Sequence, residues 1–163
     1  LFNTLNESER NMADHDIVEP GGHRLLNWGF GLFLLGLLIG FALPALENPR
    51  MGLASHLQGI TNGMFLVILG LVWPRLELSG RALRMLYWLA IYGTFANWVA
   101  TALAAVWGAG SMMSIASAGY EGTAFQESLI MALLFSLSLA MIGVVGLVLW
   151  GLRRGRRSAN LTP

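Results

Sequence analysis

Four long apolar runs, at residues 25–46, 54–73, 82–107 and 128–152, limit what this chain can fold into more than any other feature. Each reaches the roughly 20 residues a helix needs to cross the hydrocarbon core of a bilayer. Apart from Arg84 near the start of the third, none contains an Asp, Glu, Lys or Arg. They are too long for strands, and the connections leave no room for a water-soluble domain between them. In lipid each backbone polar group must be satisfied within the protein, which favours helices. The predicted fold is an all-α membrane protein, a bundle of four transmembrane helices. A polar N-terminal arm (residues 1–22) precedes the four-helix domain (23–152), and a basic tail (153–163) follows it. The arm shows no clean helical period and is expected to be mobile or to lie on the membrane surface. The first run reads as a span rather than a signal peptide, because three more spans follow.

Composition narrows the chemistry. Charged residues are 12% of the chain, about half the share usual in soluble domains. Cysteine is absent, so disulfides, thiolate ligands and thiol nucleophiles are excluded. All ten basic residues are Arg, and without Lys no Schiff base can form. A net charge of +1 creates no field to attract nucleic acid.

Arginine placement predicts the topology. Arg10, Arg24, Arg75, Arg81, Arg84, Arg153, Arg154, Arg156 and Arg157 fall on one side of a four-span chain, and only Arg50 falls opposite. The positive-inside rule then puts both termini in the cytoplasm. Trp28, Trp73, Trp107 and Trp150 near the span ends match an interfacial aromatic belt. The 153–157 cluster reads as a topology anchor, with contact to anionic membrane lipid as the alternative.

Few residues inside the spans can carry chemistry. His56, near the start of the second, is the sharpest candidate, because an intramembrane ionisable group is functional by default. At about 100° per residue, His56, Gly59, Gly63, Val67 and Gly70 share one helical stripe. Two readings stand. The glycines form a flat groove beneath an imidazole that ligates a metal, or Gly59 and Gly63 form a helix-packing motif with His56 hydrogen-bonded across the seam. Gln58, Thr61 and Asn62 occupy another face, so in an oligomer one helix can serve two neighbouring sites. In the third span, Tyr87, Thr94, Asn97 and Thr101 line one face while Tyr92 points elsewhere. Asn97 either bridges helices or orients a polar substrate. The spans contain no carboxylate, so coupled proton transport lacks its usual carrier.

Three blocks in order carry a resemblance. The first runs Asn48-Pro49-Arg50-Met51-Gly52-Leu53-Ala54-Ser55-His56-Leu57-Gln58-Gly59 and continues through Ile60-Thr61-Asn62-Gly63. The second is Tyr92-Gly93-Thr94-Phe95-Ala96-Asn97-Trp98, and the third is Ile115-Ala116-Ser117-Ala118-Gly119. Together they resemble the hydroxylaminobenzene mutases over residues 25–151. The resemblance implies rearrangement of an aryl hydroxylamine to an aminophenol, usually the ortho isomer, during nitroaromatic breakdown in a bacterial inner membrane.

A more distant likeness is to the styrene oxide isomerases, four-span homotrimers that bind haem b between subunits. Their His, followed six positions later by Asn, corresponds to His56 and Asn62. By that resemblance His56 becomes the axial ligand of a ferric haem; the helical stripe adds Gly59 and Gly63 beside the cofactor, and the catalytic candidates are Asn62, Tyr92, Asn97 and Thr101, with Asn97 and Thr101 expected to line the pocket. The chain lacks the isomerases' carboxylate near Tyr92 or Gly93, and it has Thr101 where they have Tyr. The rival expectations are an epoxide isomerase of the same architecture and a membrane cytochrome that uses His23 as a second ligand.

Overall fold

A computed structural model describes residues 2–159, with side chains described at 20–155 except at Ala116. The order is α1 (Phe2–Ala42), α2 (Pro49–Val72), α3 (Gly80–Trp107), a short α4 (Ser114–Ser117) and α5 (Ala124–Ala159). Tight 3-10 turns at Leu43–Ala45, Trp73–Arg75 and Ser111–Met113 join them. Four of these helices have the length and hydropathy to cross a membrane, over Pro20–Ala45, Pro49–Arg75, Gly80–Trp107 and Ala124–Gly155. The all-α, four-span class expected from the apolar runs is the fold observed. The backbone of α1 is helical from Phe2. The side chains of the predicted arm up to residue 19 lie outside the described residues, as does the tail beyond Gly155.

Local sequence explains the boundaries. Asn48 caps α2: its side-chain oxygen accepts from the amides of Arg50 and Met51, both at 3.1 Å, and Pro49 follows as the first helical residue. Proline suits that position because its missing N–H would be unpaired there anyway. Ser79 caps α3 through the Ala82 amide, and Gly108 ends it in the left-handed region at φ 66°. A residue with a side chain is disfavoured at such a C-cap.

The helices pack in sequence order. α1 lies along α2, α2 along α3 and α3 along α5, while α1 also touches α3. Among the described residues, α3 is the only spanning helix that α5 contacts. The result is a three-helix group with the fourth span on its outer side. Two apolar cores form. One gathers Leu25, Leu32, Leu66, Leu69, Trp73, Leu83, Leu86 and Val144 towards the arginine-rich end. The other, Met51, Ala104, Ala105, Ala109 and Ile130, sits under the last loop. Between them runs a band of small and polar residues on α1, α2 and α3.

That loop is ordered by Glu127. Its carboxylate accepts from the amides of Gly110 and Gly122 at 2.9 Å and from both the amide and hydroxyl of Ser111, at 3.0 and 2.7 Å. Asn48 ties α4 down by donating to the Ser117 carbonyl at 2.9 Å.

Candidate functional site

The seam between α1 and α2 is made of glycine on both sides. A Cβ at Gly36 would lie 2.7 Å from the Ile60 nitrogen, and one at Gly29 would lie 2.8 Å from the Gly63 carbonyl. A Cβ at Gly59 would lie 2.8 Å from the Gly36 nitrogen. The two backbones approach so closely that only hydrogen fits, the arrangement small residues provide where lipid supplies no hydrophobic drive. The groove expected beneath the imidazole is therefore filled by α1. Within one chain Gly59 and Gly63 offer no free face to a porphyrin; they bring the helices together.

His56 is fixed by the same seam. Its half-buried ring lies over Gly40, where a Cβ would come within 2.7 Å of Nδ1 and 3.0 Å of Cε1. Nδ1 sits 2.8 Å from the Gly36 carbonyl oxygen. A carbonyl only accepts, so Nδ1 carries the proton and donates it, and the lone pair is on Nε2. Nε2 is not buried and has no hydrogen-bond partner among the described residues. An imidazole oriented by a backbone carbonyl through one nitrogen, with the other nitrogen basic and free, is the usual form of a metal-ligating histidine. The donor set thus fits an axial ligand, and the ligand would approach from outside the α1–α2 pair. His23 lies 13 residues before Gly36 on the same helix, about 20 Å away at 1.5 Å per residue. It cannot supply a second axial ligand opposite His56 within one chain.

The other face of α2 holds an amide cluster. Gln58 Oε1 accepts from Asn97 Nδ2 at 2.9 Å and from Asn62 Nδ2 at 3.4 Å. All three side chains are half-buried. Asn62 and Asn97, singled out separately in the sequence, are thus brought together by Gln58, which the sequence reading left without a role. The i, i+4 spacing of Gln58 and Asn62 was the available signal. Trp98 is a second omission. It packs against Gly59, with Cδ1 3.1 Å from where a Cβ would sit, and its indole N–H is buried without a partner.

Two other candidates stand apart from this cluster. The Tyr92 hydroxyl pairs with Ser136 of α5 at 2.6 Å, on the far side of α3. Thr101 is 2% exposed, and its hydroxyl donates to the carbonyls of Asn97 and Trp98 at 3.1 and 3.0 Å. The expected pocket-lining role of Thr101 is corrected: a hydroxyl bonded back to its own helix satisfies itself in lipid and presents nothing outward. Thr94 does the same with Ala90. Tyr87 accepts from Trp28 Nε1 at 3.1 Å, which joins α3 to α1.

Comparison with known proteins settles the family. The profile described as styrene oxide isomerase matches residues 22–153. The chain belongs to the styrene oxide isomerase family. It is 58% identical over 142 residues to hydroxylaminobenzene mutase HabB of Ectopseudomonas oleovorans, covering 86% of this chain and 87% of that protein. To hydroxylaminobenzene mutase HabA of the same organism it is 48% identical over 127 residues, covering 77% of this chain and 94% of that one. No solved structure matches it. Family and relatives are alike named as isomerases or mutases, so this family member is an isomerase.

Proposed function

We propose that this isomerase rearranges an aryl hydroxylamine to a 2-aminophenol in the cytoplasmic membrane of a bacterium, as a haem-containing homotrimer with both termini in the cytoplasm. The substrate class rests on the two mutase relatives. One observation carries the site: the His56 ring gives its proton to the Gly36 carbonyl and keeps an unpartnered, unburied Nε2.

The overall change is redox-neutral. The N–O bond breaks, a C–O bond forms at the ortho carbon, and the ring proton lost there is balanced by one gained at nitrogen. Hydroxide leaves poorly, so its oxygen needs an acid. A ferric haem held through His56 Nε2 would supply that as an open Lewis-acidic site. His56 itself is held by Gly36 and Gly40, which fix its angle. Asn62 and Asn97, buttressed by Gln58, orient the hydroxylamino group through their amide oxygens. The apolar surroundings limit water, which would otherwise capture a ring cation. Tyr92 and Thr101 act through helix placement, given where their hydroxyls are committed.

The helix angles support self-association. His56 and Asn62 are six residues apart on α2, about 120° round the helix. The imidazole meets α1 and the amides meet α3, so the two sets do not converge within one chain. A trimer would place the imidazole face of one protomer beside the amide face of the next.

Isomerisation of an aryl epoxide is the second reading, favoured by the family description. Purified protein is to be offered phenylhydroxylamine and styrene oxide in parallel. Formation of 2-aminophenol, lost in His56→Ala, is expected. Faster conversion of styrene oxide to the aldehyde would favour the epoxide reading. Full mutase turnover by His56→Ala would overturn the role of the imidazole.

A further inference from the structure

At the opposite end of the helices from His56, a cleft of about 370 Å3 opens between the start of the α1 span, the Trp73–Arg75 turn and the first turns of α3. Its polar lining is made of donors. Arg24 projects from α1 and Arg84 from α3, and neither has an ion-pair partner among the described residues. Trp73 is 2% exposed, yet its indole N–H is buried with no partner. The Tyr87 hydroxyl accepts from Trp28 and keeps its own proton to give. No described lining residue is a carboxylate.

A buried indole N–H without an acceptor costs free energy unless a ligand supplies one. Gly21 lies against it: a Cβ there would stand 2.8 Å from Nε1. Two guanidiniums, an orphan N–H and a phenolic O–H on residues that line one cleft, with no carboxylate among the described lining residues, suit an anion with several oxygens, and guanidinium forks match phosphate geometry. The cleft opens at the end of the molecule that holds nine of the ten arginines, predicted to face the cytoplasmic leaflet, where anionic lipids collect. Trp88, 63% exposed at its rim, is the aromatic type that settles at the headgroup level.

We propose that this cleft binds the phosphate of an anionic phospholipid headgroup, with Arg24 and Arg84 as its charged fork and the Trp73 N–H as its buried donor. The lipid joins α1 to α3, a contact that the protein itself makes thinly compared with its α1–α2 seam. Nothing in the site depends on the isomerase chemistry, because these residues lie at the far end of the helices from His56.

Native mass spectrometry of the detergent-solubilised full chain tests this, with dioctanoyl phosphatidylglycerol, dioctanoyl phosphatidylcholine and inorganic phosphate as separate probes. One phosphatidylglycerol retained per chain is expected, held about tenfold more tightly than phosphatidylcholine. Arg24→Gln with Arg84→Gln should abolish that preference. Trp73→Phe, which keeps the ring and removes the N–H, should weaken phosphatidylglycerol several-fold while the ligand-free melting temperature holds. Arg153→Gln with Arg154→Gln should leave binding unchanged. Equal retention of both lipids, or retention unaffected by the double Arg24/Arg84 change, would overturn the proposal. Inorganic phosphate held as tightly as phosphatidylglycerol would also overturn it, by removing the lipid as the source. If Arg24→Gln with Arg84→Gln fails to fold, Trp73→Phe and the lipid preference of the unaltered protein decide.

Discussion

The two faces of α2 solve opposite problems. Towards α1 the helix presents glycine, and the backbones meet so closely that His56, at the edge of the seam, bonds to a backbone carbonyl. Towards α3 it presents amides, which satisfy each other through Gln58. The first face is rigid, because moving a residue there means moving a helix. The second is adjustable, because amide side chains can re-pair with a substrate at little cost. A rigid imidazole and an adaptable amide set are what a membrane site needs if one component must stay fixed while the other follows the reacting group.

The largest structural effect is expected from Gly59→Ala. The new methyl would meet the Gly36 backbone, where no flexible side chain can yield. Overpacking of this kind costs about 1–3 kcal/mol, and thermal unfolding in detergent should fall accordingly or the protein should fail to accumulate. A Gly146→Ala change, where a Cβ meets nothing within 4 Å, is the matched control and should be neutral. If both behave alike, the rigid seam is not what holds α1 to α2.

Next in size is Gly40→Ala. Its methyl would press on the His56 ring, and a side chain can tilt where a backbone cannot. The fold should survive while activity drops about tenfold, through misorientation of an intact histidine. Unchanged turnover would show that the ring angle is unimportant.

Gln58→Ala should come third. It strands two amide donors at half-buried positions, worth about 1 kcal/mol or slightly more in a membrane interior, with KM rising more than kcat falls. Tyr92→Phe should be smallest. The hydroxyl it removes joins α3 to α5, away from both faces of α2, so stability should fall by about 0.5–1 kcal/mol with kcat nearly unchanged. A large kcat loss in Tyr92→Phe would restore it to the reacting groups.

Much of this was readable in the residues before any coordinates. The four spans follow from runs too long and too apolar for anything else, and Asn48-Pro49 and Ser79-Gly80 mark helix starts by their hydrogen-bonding chemistry. His56 stood out as the imidazole inside a span. The glycine stripe was equally visible, but not what fills it, because the matching Gly29, Gly36 and Gly40 lie on another helix and small residues carry no label for their partner. Gln58 stayed hidden for a similar reason: it becomes a hub only when Asn97 arrives from 39 residues away. The order in the last loop escaped notice too, since the backbone amides that Glu127 gathers leave no trace in side-chain identity.

The most direct test is the visible spectrum and pyridine haemochrome of detergent-purified protein, beside that of His56→Ala and with secondary structure checked by circular dichroism. The unaltered protein should carry protein-bound haem with a Soret band, and His56→Ala should remain helical but lose both the band and the mutase turnover. Active preparations free of haem, or His56→Ala retaining its full haem complement, would contradict the assignment of His56 as the residue that holds the electrophile.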